Sequence, residues 1–434
     1  MNSVVRFGTA ATTAALTLLG GGAPVVAAQQ AVLRGAEASP IMSTLAAALE
    51  RDEAAIAAFW RDIERRGTPL IEPDTSHPGH SLVTFLHRAS SSDVEVELAS
   101  NIVALDANAM ALSGPRLPLE RLGGSEVRFL TLRLRNDVRA PYRFRITRPG
   151  VESEQLIDPL NPAIWEAEQP ALRASIVELP GAPDQPWRGA GAERGDWDEL
   201  SLPDAAGVER TVYVYKPPGW RAGPDQRYRA LVGLGAFGTG IGMRVDWMAD
   251  HLVSEGAIPP MVFLLVDLDA ASEASRYAST DSFVVDVVLP HARAHYGVSA
   301  RAEDIAISGT SRRGMVAALV ALRRPGAVGN VISLSGSYYW KPADEPAWVW
   351  VPAQFARAVR RPVRFYLAAG ELETFVSPGN RGHHLVGTNR HFRDVLRARG
   401  YDLHYVEFNG VHSELNWQDW LADGLVHVFG RRTR

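Results

Sequence analysis

The 434-residue sequence contains no cysteine. That excludes disulfide scaffolds, thiolate zinc sites and cysteine nucleophiles together. It also lacks a hydrophobic run long enough to cross a bilayer as a helix, since the apolar stretch near the N-terminus is short and nothing downstream is longer. There is no basic excess, with 45 Lys and Arg against 49 Asp and Glu. This argues against a polyanion binder such as a nucleic-acid protein, because no basic excess exists to neutralise phosphates. Internal repeats with a period of roughly 20 to 50 residues are absent, which rules out solenoids. What is present is an ordinary globular composition, 46% hydrophobic and 22% charged, in a chain long enough for two or three domains.

Residues 1–28 stand apart. Arg6 makes a short positive start, Ala10–Leu19 is apolar and small, and Val26-Ala27-Ala28 fits a small-residue cleavage site. An exported protein is expected, cut near Ala28 and working in a periplasm or outside the cell. Removing Arg6 leaves 44 basic against 49 acidic residues, a net charge of −5.

The next part, 29–75, reads as a helical leader. In Ala47–Gly67, the residues Leu49, Ile56, Phe59, Trp60 and Ile63 share one face. From 76 to 150 the period changes to short alternating runs, among them Leu82–Leu86, Val94–Leu98, Val127–Leu134 and Tyr142–Ile146. Such runs between polar turns predict a small β-sandwich. Residues 151–195 are rich in proline and glycine and read as a linker. From 196 to 434 strands and helices alternate, which predicts an α/β domain with a mainly parallel sheet. Its expected strands are Thr211–Tyr215, Ala230–Leu234, Met261–Val266, Ile305–Ser308, Val331–Ser335, Val363–Ala368 and Leu403–Phe408.

The chemistry concentrates around Ile305–Arg324. A buried strand runs into Gly309-Thr310-Ser311-Arg312-Arg313-Gly314, and a helix follows. A serine on a glycine-flanked strand-to-helix turn is the nucleophile elbow of α/β-hydrolases. The plain alternative is an ordinary βα turn, because Arg313 occupies the place where the pattern has glycine. The later chain supplies the partners in the required order. Glu373, with Glu371 as its rival, follows the strand ending at Ala368, and His412 follows the strand ending at Phe408. Parallel strands place all three loops at one sheet edge, where an imidazole can take the serine proton and a carboxylate can fix the imidazole. Gly233-Leu234-Gly235-Ala236-Phe237-Gly238 spells a dinucleotide fingerprint, yet its glycines run on to Gly242 and leave no helix start for a pyrophosphate. The loop is read instead as an oxyanion-hole donor near Gly235 and Ala236, with the Arg312 N–H as the other donor. His383, His384 and His391 lack metal-ligand spacing and read as surface residues, so no metal is expected. Tyr338, Tyr339, Trp340, Trp348 and Trp350 are either core or substrate wall.

An ordered set of segments resembles the enterochelin esterases, esterase-D-like α/β-hydrolases that cut ester bonds of catecholate siderophores. It runs over about residues 54 to 430, through Ala58-Phe59-Trp60, Val83–Leu86, Tyr142-Arg143-Phe144, Asp158–Pro162, Val212–Pro218, Ile258-Pro259-Pro260, Arg276-Tyr277, Ser333–Ser337 with Trp340, and Gly410-Val411-His412 with Trp417. The resemblance implies an immunoglobulin-like sandwich before an α/β-hydrolase domain. It also implies hydrolysis without a cofactor through an acyl-enzyme, with Ser311 as nucleophile, His412 as base and Glu373 as acid. The partner would be a small-molecule ester, an iron–siderophore complex in the sharpest form. Arg276, placed by the resemblance near the pocket, would join Arg312 and Trp340 in favouring an anionic aromatic ligand. Arg313 and the Gly410-Val411 pair depart from the family pattern. Two other readings stay open: a carbohydrate or feruloyl esterase with the same triad, and a binding protein whose elbow Arg313 has disabled. If the elbow forms, the Arg313 stem is expected to turn outward along the helix while Gly314 provides the close approach.

Overall fold

The computed structural model describes residues 31–430 except 53, 90, 92–93, 101, 103–115, 167–172, 189–192, 222, 224, 236–242, 269–278, 343–344, 346–347 and 375–383. The expected export segment 1–28, Ala236, Arg276 and His383 lie outside the described residues.

The N-terminal part is a two-sheet sandwich. One sheet has the order Ala31–Leu33, Val127–Arg135, His80–Arg88, Leu70–Pro73, with Glu120–Arg121 also on Val127–Arg135. The other runs Ile164–Trp165, Ala174–Glu178, Arg139–Thr147, Glu95–Ala99, Arg116–Pro118, with Glu154–Leu156 on Arg139–Thr147. Alternation turns Val83, Phe85, Leu130 and Leu132 of the first sheet onto Val96, Leu98, Tyr142 and Phe144 of the second, closing one core. The outer face of the first sheet is covered by helices Pro40–Leu49 and Ala55–Arg66, through Met42, Leu45, Trp60 and Ile63.

Two expectations need correction. The single leader helix is two, because the chain turns at residues 50–54, where the Asp52 carboxylate accepts the Ala54 N–H at 2.8 Å. The stretch 151–195 is not a free linker: three of its segments are strands of the second sheet. Its proline-rich text is held by buried side chains rather than by a long ladder. Asp158 accepts the hydroxyls of Thr68 and Tyr142 at 2.7 and 2.8 Å, and the Asn161 amide donates to the Ile176 carbonyl at 2.8 Å.

The C-terminal part is built on one eight-stranded sheet. Its strands are β1 (Asp196–Pro203), β2 (Glu209–Lys216), β3 (Arg229–Leu234), β4 (Met261–Val266), β5 (Ile305–Thr310), β6 (Asn330–Leu334), β7 (Arg364–Gly370) and β8 (Asp402–Phe408). They lie in the order β1-β2-β4-β3-β5-β6-β7-β8, with β2 antiparallel to both neighbours and every other pair parallel. This is the sheet of an α/β-hydrolase. Strands β4, β5 and β6 are buried along their whole length, as parallel strands covered on both faces must be. The sequence reading omitted β1. It is an edge strand with a polar, largely exposed face, so it lacks the apolar run that marks the others.

The two parts meet around Arg139, which is 1% exposed. Its guanidinium donates to Asp419 at 2.9 Å and to Glu178 at 3.0 Å, and its carbonyl accepts from the Asn416 amide at 2.7 Å. Burial pushes the Asp419 carboxyl up to about 7, against the pull of Arg139 and the bond from Gln185. The folded form therefore takes up this proton more readily than the unfolded chain. Asp419 favours folding most in acid, and that contribution is lost as the pH rises through about 7. Arg139→Ala strands a buried carboxylate, so urea unfolding at pH 8 should show a loss of about 3 to 5 kcal/mol. The loss should shrink at pH 5, where Asp419 is neutral; equal losses at both pH values would contradict this account.

Candidate active site

β5 runs straight into helix Ser311–Arg323, and Ser311 takes up the sharp change of direction with φ 53°. A side chain in this left-handed region is uncommon and strained. The strand and the helix approach closely on both sides of it. A Cβ on Gly309 would collide with the Arg313 carbonyl, and one on Gly314 would lie 2.7 Å from Ser333 Oγ and 2.8 Å from the Gly309 carbonyl. Gly314 thus supplies the close approach expected of it. Arg313 does not run outward along the helix. A Cβ on Gly235 would collide with its Cδ, Nε and Cζ, so its arm lies across the turn that follows β3.

The acid and the histidine come from the ends of β7 and β8. Glu373 Oε1 lies 3.2 Å from His412 Nδ1, with Glu373 1% and His412 7% exposed. Glu371 is used elsewhere: it accepts from Arg135 of the sandwich at 2.7 Å. Between the serine and the acid sits the turn after β6. Ser337 Oγ is 3.2 Å from Ser311 Oγ, and the Ser337 N–H donates to the Ser311 carbonyl at 2.9 Å. Ser335, also at positive φ (51°), donates to Glu373 Oε1 at 2.7 Å and accepts the Trp417 indole N–H at 2.9 Å. The Trp417 ring also meets His412 edge-on, with centroids 4.7 Å apart. Beside the histidine, burial pushes the Glu414 carboxyl up, and the Arg313 guanidinium draws it back.

The oxyanion reading changes. The Gly235 N–H donates to the Val266 carbonyl at 2.8 Å and is spent on the sheet, so Gly235 is the pivot of the turn and not a donor. Arg312 stands in the first turn of the elbow helix, where amide N–H groups have no acceptor within the helix. Trp340 is half-buried, edge-on to Trp350 at 6.1 Å and packed against the core. Tyr338 is core, its hydroxyl on Ser333 at 2.8 Å. His384 caps helix Leu385–Ala398 by accepting the Gly387 N–H, and His391 is exposed. No group of three metal-ligating side chains occurs among the described residues, and none of their helices is long and apolar enough to cross a membrane. Ser335 and Ser337 were missed as site residues. Their only signal in the sequence was the Ser333–Ser337 segment of the family resemblance.

A strained serine on a strand-to-helix elbow, over the C-terminal edge of this sheet and with a histidine–carboxylate pair on neighbouring loops, defines an α/β-hydrolase. Residues 204–428 match the family described as "Putative esterase", and residues 82–188 match "Enterochelin esterase, N-terminal". The chain belongs to the enterochelin esterase family of carboxylic-ester hydrolases. It is 26% identical over 438 residues to the iron(III) enterobactin esterase of Dickeya dadantii, covering 90% of this chain and 96% of that one. It is 24% identical over 404 residues to the iron(III) salmochelin esterase of Escherichia coli O6:H1, covering 85% and 92%. In fold it is similar to the ferric enterobactin esterase of Salmonella typhimurium, with TM-score 0.69, 21% identity and coverage of 86% and 98%.

Ser335→Ala removes a donor to Glu373 and the acceptor of Trp417. It should lower kcat toward p-nitrophenyl butyrate roughly 10- to 100-fold by loosening the acid. Arg313→Gly, which uncovers the turn at Gly235, should keep the fold and lower kcat/KM on the order of tenfold. Unchanged kinetics in either variant would show that its contact is incidental.

Proposed function

We propose that this protein hydrolyses ester bonds of ferric catecholate siderophores through a Ser311–His412–Glu373 triad. The observation that carries the triad is the buried 3.2 Å pairing of Glu373 with His412 Nδ1, on the edge to which the elbow lifts Ser311. With Glu373 ionised, Nδ1 holds the ring proton and Nε2 holds the lone pair. Nε2 takes the Ser311 proton as Oγ attacks the ester carbonyl. The oxyanion is met by the Arg312 N–H, and the second donor expected at Ala236 lies outside the described residues. Collapse expels the alcohol, which receives the proton from His412 and leaves the acyl group on Ser311. Water, deprotonated by His412, then releases the acid and restores the serine.

The substrate class rests on the family and on relatives named for iron(III) enterobactin and iron(III) salmochelin. Arg312, exposed next to the nucleophile, together with Arg276 and Trp340, would give the mouth cations and an aromatic wall for catecholate rings. Residues 1–28 would send the protein out of the cytoplasm. N-terminal sequencing of the protein recovered from a periplasmic or culture fraction should begin near Gln29; an intact Met1 there would exclude cleavage.

Ser311→Ala and His412→Ala should each cost on the order of 10⁴-fold in kcat with the melting temperature retained, and Glu373→Gln should cost less. The unaltered protein should cleave ferric enterobactin faster than a feruloyl arabinoside. The reverse preference would move it to the plant-polysaccharide esterases, and no turnover of any ester would make it a binding protein.

A further inference from the structure

A cleft of about 640 Å³, counted with the part open to solvent, lies where the sandwich meets the catalytic domain and not at Ser311. Trp165 and Trp187 form its buried floor, and the Trp187 indole faces Gln418 Oε1 at 3.4 Å. Trp247 stands half-buried at the wall, with the Arg244 guanidinium 3.6 Å from its ring centroid and that of Arg194 3.9 Å away. Arg244 is exposed and has no carboxylate within ion-pair distance among the described residues, while Arg188 reaches Glu178 only at 3.8 Å. Among the described lining residues the one carboxylate, Glu166, is paired with Arg173 at 2.7 Å. A chain with net charge −4 therefore keeps a cationic, tryptophan-floored cleft. In sequence, Gln418 of the lining follows Trp417, the residue against His412.

We propose that this cleft is a binding subsite for a planar aromatic anion, such as the iron-bound catecholate ring of a ferric siderophore. The siderophore assignment rests on the function proposed above, whereas the cleft's preference for an aryl anion rests on its own residues. A guanidinium stacks on an aromatic face and pairs with adjacent anionic oxygens, and an indole floor keeps water from competing. Neither a neutral ring nor a small inorganic anion would use both features.

The test is calorimetric titration of 2,3-dihydroxybenzoate into the Ser311→Ala protein at low salt. Arg244→Ala and Trp247→Leu, added singly, should each weaken binding about tenfold. 2,3-Dihydroxybenzamide, the same ring without the charge, should bind about tenfold more weakly than the acid. If both added substitutions leave the affinity unchanged, or the amide binds as tightly as the acid, the cleft is not an aryl-anion subsite. Arg244 is an exposed residue, so its alanine variant keeps the test valid even if Trp247→Leu fails to fold. Hydrolysis by the unaltered protein judges the function separately. Dihydroxybenzoate bound in the cleft with ferric catecholate esters left intact would overturn the substrate reading and keep the cleft.

Discussion

One turn of the sandwich braces both loops that carry the acid and the histidine. Arg135 donates to Glu371 at 2.7 Å, two residues before Glu373. Asp137 accepts from Asn409 at 2.6 Å, three residues before His412. Arg139 holds the helix behind the histidine, through Asn416 and Asp419. The partly exposed contacts among these are worth little individually, because water and salt compete for them. The Arg139–Asp419 pair is different. It is almost wholly buried, and breaking it leaves an unpaired charge. The main consequence of this brace is geometric: the sandwich fixes where β7 and β8 deliver their loops. The N-terminal domain is therefore part of the scaffold of the site, and its contribution does not depend on touching substrate.

From that brace a short relay of hydrogen bonds runs inward. Trp417 donates to Ser335, Ser335 donates to Glu373, and Glu373 receives His412. Each donor has one place to point, so the carboxylate cannot rotate away from the imidazole without stranding a buried hydroxyl. Leaving such a group unpaired costs about 1 to 3 kcal/mol, more than a typical net hydrogen bond contributes. This cost explains why Ser335 holds a positive φ: the strain of one residue is offset by the bonds that its side chain makes.

Much of this was legible in the sequence where local pattern and burial coincide. β4, Met261–Val266, is a continuous apolar run because both its faces are covered, and its observed bounds are those predicted. The order of Ser311, Glu373 and His412, each after a strand, was enough to expect them at one edge. The rest failed for physical reasons. β1 is polar because it is an edge. The strands between 154 and 178 are short and fixed by Asp158 and Asn161, residue types that also fill loops. Gly235 carried the right signal for a tight turn, but its N–H bonds Val266, a neighbour known only once β3 and β4 are paired.

Arg313 shows the same dependence on long-range geometry most sharply. An elbow needs the helix to pass close to its strand, and the usual pattern satisfies this with a small residue two places after the serine. Here Gly309 and Gly314 satisfy it, since a Cβ on either would clash with backbone or with Ser333. The residue between Arg312 and Gly314 is thereby freed from that constraint, and its side chain must go somewhere near the site. It goes over Gly235, whose missing side chain leaves the room. The bulk added at one position and the bulk absent at the other occupy the same space. A larger residue at 235 would therefore expel the arginine, and a glycine at 313 would leave the turn uncovered. The departure from the family pattern is a matched pair of sites, one in the elbow helix and one in the turn after β3, which no inspection of the elbow alone could reveal.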